Sequence, residues 1–259
     1  MPLFANWFNT NKDQKNKAFF WLLKEQEDKR EKVINYFCET VRSHYDDLNK
    51  IADDIAALGY SNAAKLLKEQ LPSTKRARSG ELGEIMATEF AEEGLGFRVP
   101  VRRIRYKDGR EMALRGDDFI GLKYGKSPDD IILLKGESKS SATLGKTTIQ
   151  KAREVLDRDA GRCTPISLLF VANRLMEGDL EDQKLGRSLR NEVAIKAIKP
   201  SNIHHAFFSL TGNDPEKHLR EDLDTADKKR NQNVINIQIT DHQKFIKETF
   251  EKVATLGKD

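Results

Sequence analysis

The apolar positions of the chain follow two different periods. From residue 1 to about 72, Lys, Glu, Gln, Asp and Leu dominate and no glycine occurs before Gly59, which predicts an entirely helical N-terminal region. One helix is expected to end near Leu58, with Gly59 supplying a left-handed cap. Ser61 can start a shorter helix that stops at Pro72. Within this region Phe19, Phe20 and Trp21 would cover too much of a helix's circumference to face water, so they and Trp7 are expected to be core or a docking surface for a partner. Ser73 to Ser79 is basic and lacks large apolar residues, which marks a junction between a first unit, 1–72, and a second, 73–259.

In the second unit, Leu82, Ile85, Met86 and Phe90 recur at helical spacing from Gly80 to Glu93. Phe97 to Tyr106 is strand-like with a break in parity that a bulge would reconcile. Asp117 to Tyr124 and Asp130 to Lys139 predict two strands joined through Gly125-Lys126-Ser127-Pro128. An amphipathic helix is expected from Ser141 or Thr143 to about Asp159. Two more are expected over 165–177 and 179–197, the first started by Thr164-Pro165. His205 to Leu210 and Val234 to Thr240 are expected strands, Gly212 to Asn233 a charged segment without a core, and the residues after Asp241 a closing helix.

Composition narrows the function classes. The 259 residues carry 45 Lys and Arg against 41 Asp and Glu, a net charge of +4, too small by itself to announce a nucleic-acid binder. Distribution says more: Arg98 to Arg115 holds seven basic residues and two acidic ones, and Arg102, Arg103 and Arg105 at its centre can track a phosphate backbone. No apolar run approaches the ~18 residues of a membrane span, and the first residues lack the features of a secretory leader, so a cytoplasmic protein without membrane contact is expected. Cys38 and Cys163 are too few for a disulfide framework and are expected as reduced, buried thiols.

The chemistry gathers in Gly116-Asp117-Asp118-Phe119 and Gly136-Glu137-Ser138-Lys139. Glu137 and Lys139 are two apart on a strand, so both leave the same face. A hairpin centred on Ser127 makes paired positions sum to about 255, which sets Asp118 opposite Glu137 with β-carbons roughly 5 Å apart, close enough to share one Mg²⁺. Choosing Asp117 instead needs a one-residue slip that would turn the apolar set to the other face, so Asp118 is favoured. Asp129 and Asp130 also precede Glu137-Ser138-Lys139, but Asp130 lies about 23 Å from Glu137 along an extended strand and the two cannot hold one ion.

These residues resemble the PD-(D/E)XK nuclease superfamily, in which an acidic helix, an Asp opening a hairpin and an Asp/Glu-x-Lys closing it precede a further helix. Glu84, in Ser79-Gly80-Glu81-Leu82-Gly83-Glu84, matches the helical acidic residue; Asp118, Glu137 and Lys139 match the others; and Gln150 resembles the glutamine that some branches carry. The resemblance implies an α/β fold of the restriction-endonuclease type, a mixed sheet flanked by helices, behind the helical N-terminal region. More narrowly, Arg78 to Ser141 is similar to the HamA family of Hachiman anti-phage defence. That resemblance implies a DNA-cleaving effector held in check by a large helicase, HamB. In such a site Asp118 and Glu137 would bind Mg²⁺ or Mn²⁺, Glu84 would complete the shell, and Lys139 would orient a water. The runner-up is a non-catalytic nucleic-acid-binding or regulatory subunit on the same scaffold. A weaker competitor is a P-loop ATPase, because Ser140 to Thr147 departs from G-x-x-x-x-G-K-[ST] only by Ser140 in place of the first glycine.

Overall fold

The computed structural model describes residues 1–126 and 130–255. Helix α1 (Leu3–Trp7) leads into strands β1 (Phe8–Lys15) and β2 (Ala18–Glu25), which pair antiparallel around Asn16 at φ +56°. The expectation of an entirely helical N-terminal region is therefore corrected. Ala18 to Leu23 is a continuous apolar run, and a strand between two neighbours can bury such a run on both faces, whereas a helix on a surface buries one stripe.

Four helices follow: α2 (Glu27–Ser43), α3 (Leu48–Leu58), α4 (Tyr60–Gln70) and α5 (Lys75–Glu93). Helix α3 ends as expected at Leu58, with Gly59 at φ +76°. The Thr74 hydroxyl accepts from the Ala77 N–H and starts α5, so most of the expected junction at 73–79 is helix with its basic side chains on the surface. Between Phe97 and Tyr106 the expected strand is reduced to one bridge, Arg98 to Leu122, followed by a 3-10 turn at Arg103–Tyr106. Pro100 has no N–H to offer a ladder, which accounts for the interruption.

Strands β3 (Phe119–Tyr124) and β4 (Ile131–Ser141) form the expected antiparallel hairpin; Ser127, Pro128 and Asp129, in its connection, lie outside the described residues. Then come α6 (Lys146–Asp157), α7 (Pro165–Leu175), α8 (Leu180–Ile195), β5 (Ile203–Thr211), α9 (Glu216–Thr225), β6 (Gln232–Gln238) and α10 (His242–Val253). Helix α9 occupies the segment expected to be a loop. Leu219 and Leu223, one turn apart, anchor it to the core, and Asp222 between them pairs with Arg153.

The six strands run in the order β1-β2-β6-β5-β4-β3, parallel from β2 to β4 and antiparallel at both edges. Helices cover both faces. Leu82, Ile85 and Met86 of α5 join Phe37 and Phe245 over Phe208 and Ile235 on one side; on the other, Ile149 and Leu156 of α6 and Leu219 of α9 pack with Phe207 and Val234. Helices α7 and α8 pack on the β3–β4 end through Leu168, Val171 and Leu189 with Ile120, Leu122 and Leu133. Leu3, Phe4 and Trp7 belong to the same cluster as Ile235 and Phe245, so residues on both sides of position 72 build one sheet and one core. Cys38 and Cys163 are buried free thiols, and among the described residues no helix is long and apolar enough to cross a membrane.

Candidate active site

The two adjacent aspartates are separated by the backbone just before β3. Gly116 sits at φ +100°, and a β-carbon there would lie 2.1 Å from the Ser167 hydroxyl oxygen, so a residue without a side chain lets the chain turn against α7. Asp117 then drops into the interior, 1% exposed. Its N–H donates to the Ser167 hydroxyl at 2.8 Å, and its carboxylate accepts from the Thr164 N–H at 2.7 Å and hydroxyl at 3.1 Å. The Lys135 ammonium stands 3.8 Å away and donates to the carbonyls of Leu156 and Arg158. Asp117 thus ties β3 to α7 and Lys135.

Asp118 faces the other way. Its N–H donates to the Gly136 carbonyl at 3.2 Å and its carboxylate accepts from the Ser138 N–H at 2.7 Å. Those two contacts bracket Glu137, which realises the expected juxtaposition of Asp118 and Glu137. The register is the expected one, with Phe119 opposite Gly136. Glu137 is ion-paired with Lys139, whose ammonium also donates to the Ser138 carbonyl at 2.9 Å. Glu137 is only 4% exposed, while the Lys139 side chain keeps about a third of its surface open, so water reaches the pair from the lysine side.

Glu84 approaches from α5. A β-carbon on the preceding Gly83 would lie 3.0 Å from both the Ser138 hydroxyl oxygen and the Ser140 β-carbon, so Gly83 allows the helix to lie close over β4. Burial lifts the Glu84 carboxyl well above its usual value, and the charge of Asp118 adds to the shift. Burial likewise raises Asp118, against the opposing pull of Lys139. Glu137 is pushed up to about 7 by burial and by Asp118. Burial lowers the Lys139 ammonium, but Glu137, Asp118 and Glu84 together hold it above its ordinary value. Three carboxyl groups crowd a poorly solvated place, and each is pushed toward its neutral form while the lysine is held charged.

Among the described residues no three His, Cys, Asp or Glu side chains converge as a ready-made metal cage. The oxygen donors of Asp118 and Glu137 are nevertheless the chemistry a hard divalent cation takes. Mg²⁺ in particular needs one or two carboxylates and keeps several waters.

The three arginines expected to seat a nucleic-acid backbone have internal partners. Arg102 pairs with Glu92 at 2.7 Å and Glu89 at 3.1 Å, and Arg105 donates to the Ser43 carbonyl at 2.8 Å. Arg103 is buried, donates to the Arg115 carbonyl at 2.7 Å and lies over the Phe170 ring. Gln150 is exposed on α6, whereas Arg153, three residues further on, is buried against Asp222 and Gln232. Asp130 stays at the hairpin, where its carboxylate accepts from Asn202 at 2.6 Å. Ser140, in place of the P-loop's first glycine, bonds through its hydroxyl to Ser79 at 2.9 Å and to His242 at 3.1 Å. The Ser140 side chain is thus tied into the fold where a P-loop has no side chain.

Sequence reasoning passed over Glu81 and Lys107. Glu81 accepts from the Tyr45 hydroxyl and from Lys107, each at 2.6 Å, and together with Glu84 they line a pocket of about 420 Å³ next to the carboxylates. The signal was the spacing of Glu81 and Glu84, three apart on one helix and so neighbours on its surface.

Two comparisons with known proteins bear on this arrangement. Hachiman protein HamA of Bacillus cereus is 30% identical over 106 residues, a stretch that covers 41% of this chain and 36% of that protein. The HamA family model matches residues 1–253, so the chain belongs to the HamA family.

Proposed function

We propose that this protein is a metal-dependent DNA nuclease, the effector of an anti-phage defence system, with a PD-(D/E)XK-type site. The observation that carries the reading is the Asp118 carboxylate braced against β4 beside the Glu137–Lys139 pair, with Glu84 above it. Asp118 and Glu137 would hold Mg²⁺ or Mn²⁺ directly, and Glu84 through a water. An ion bound there supplies positive charge to a scissile phosphate and lowers the pKa of water. Lys139, more open than Glu137, is placed to orient the attacking water and to offset charge that builds on the phosphate. The buried Ser138 backbone keeps the Asp118 carboxylate from swinging out of this arrangement.

A free nuclease in the cytoplasm would attack host DNA, and the chain has no complete ATP-binding motif with which to gate itself. The reading therefore includes restraint by a helicase partner, HamB, released by DNA engagement and ATP turnover. The test incubates the isolated chain and its complex with the helicase on the same DNA, with Mg²⁺ or EDTA and with or without ATP. Cleavage that needs Mg²⁺, and that depends on ATP only in the complex, is expected. DNA binding with no cleavage in any condition would favour a non-catalytic subunit.

A further inference from the structure

Arg103 lines a small cavity together with Glu84 and Asp118, closed by His44, Thr88, Val101, Ile104 and Phe119. The cavity holds about 10 Å³, room for about one water, and Arg103, Glu84 and Asp118 all contribute to its wall. Arg103 is buried, one of its terminal nitrogens is used by the Arg115 carbonyl, and its Nε is buried without a hydrogen-bond partner. A guanidinium is expensive to bury, and a surface DNA contact would not need it inside. Its charge acts mainly on Glu84, then on Asp118 and Asp117. Lys139 balances Glu137 and is the stronger cation on Asp118; Arg103 is the first cation on Glu84 and a second one on Asp118.

We propose that Arg103 is a positioning residue, an internal counter-ion that holds Glu84 and Asp118 in place while the site lacks metal and that weakens divalent-cation binding by occupying their field. The inference rests on the reading of these carboxylates as the metal-holding group. When a divalent cation arrives, two positive centres compete for the same carboxylates, so the arginine sets the metal concentration at which the site fills. Removing its charge has two opposite consequences: the metal-free protein loses stability, and the metal binds more tightly.

The test compares the wild type, Arg103→Gln and Phe170→Leu by thermal unfolding and calorimetric titration with Mg²⁺ alone at pH 8.5, where protons compete least for the carboxylates. Arg103→Gln is expected to melt at least about 5 °C lower without metal, to bind Mg²⁺ about tenfold more tightly and to gain more from it than the wild type does. Phe170→Leu removes the ring under the guanidinium but not the charge, and is expected to keep the wild-type Mg²⁺ affinity. Equal Mg²⁺ affinity in wild type and Arg103→Gln, or tighter binding in Phe170→Leu as well, would overturn the counter-ion role. A wild type that binds no Mg²⁺ would instead overturn the metal site itself. A metal-free double-mutant cycle adds a second readout: Arg103→Gln should cost less in an Asp118→Asn background, because one buried charge then no longer needs balancing. Additive losses, or a double variant as unfolded as Arg103→Gln alone, would refute the proposal.

Discussion

The Asp118 carboxylate takes the Ser138 N–H at 2.7 Å, just before β3 begins, and so does the work of a ladder carbonyl where the ladder ends. This places an acidic side chain beside Glu137 without relying on the packing of a mobile surface residue. An amide oxygen can accept the same bond. Asp118→Asn is therefore expected to keep the fold and melting temperature while cleavage falls more than about 100-fold, since even indirect partners of a metal cost 10–100-fold. A plasmid-cleavage assay with Mg²⁺, alongside thermal unfolding, checks both halves.

Glu137→Gln and Lys139→Ala separate an enzyme from a binding scaffold. Each is expected to lower DNA cleavage by about 10² to 10⁴-fold, the usual worth of a group that handles a proton or a developing charge, while DNA affinity changes little. Protection against phage in cells should vanish with cleavage. Retained protection in a variant that no longer cuts DNA would contradict the nuclease reading.

The neighbouring aspartates should behave differently from Asp118. Asp117→Asn leaves the fully buried Lys135 ammonium without its carboxylate partner, and is expected to cost about 3 kcal/mol in urea unfolding. Asp130→Asn, at the hairpin, is expected to cleave DNA at close to the wild-type rate. An inactive Asp130→Asn beside an active Asp118→Asn would mean that the site is elsewhere.

Part of the acid sensitivity should trace to His205, which lies on β5 opposite Lys135. Burial holds His205 down at about 3, and it contacts the Gly161 carbonyl at 2.9 Å and lies near Arg230. Its folded pKa is below the unfolded value of about 6.5, so its unfolded form takes up the proton first. The stability it contributes is complete above pH 6.5 and is lost as pH falls toward 3, about 2 to 3 kcal/mol of it by pH 4.5. Urea unfolding at pH 7 and 4.5 should show a smaller loss in His205→Gln than in the wild type.

Trp21 makes a further test of what the N-terminal strands do. Its ring packs edge-on to Phe90 at 5.6 Å and Lys12 lies 4.1 Å above it, within the sheet and core that carry the site. Trp21→Ala is expected to destabilise the isolated protein by about 2 to 3 kcal/mol, just under the range for a fully buried aromatic because the side chain is half-buried. A thermal midpoint unchanged from the wild type would make Trp21 a surface residue free for a partner.

Local order in the chain was enough for the hairpin and its register. Two apolar strands around a short turn leave one register that buries both apolar sets, and that register places Asp118 at Glu137 whatever the rest of the protein does. The caps and apolar repeats likewise marked the ends of α3, α7 and α8 within a few residues. Three things needed tertiary structure. Ala18 to Leu23 becomes β2 because β6 lies beside it in parallel, a pairing across more than 200 residues that no local period encodes. Asp117 and Asp118 take opposite environments because α7 supplies Ser167 and Thr164 to one of them. Arg102, Arg103 and Arg105 turn inward because carboxylates, carbonyls and an aromatic ring from distant segments meet them there. A basic residue's sequence neighbours state its charge; whether that charge meets water, a phosphate or a buried carboxylate is decided by which segments fold over it.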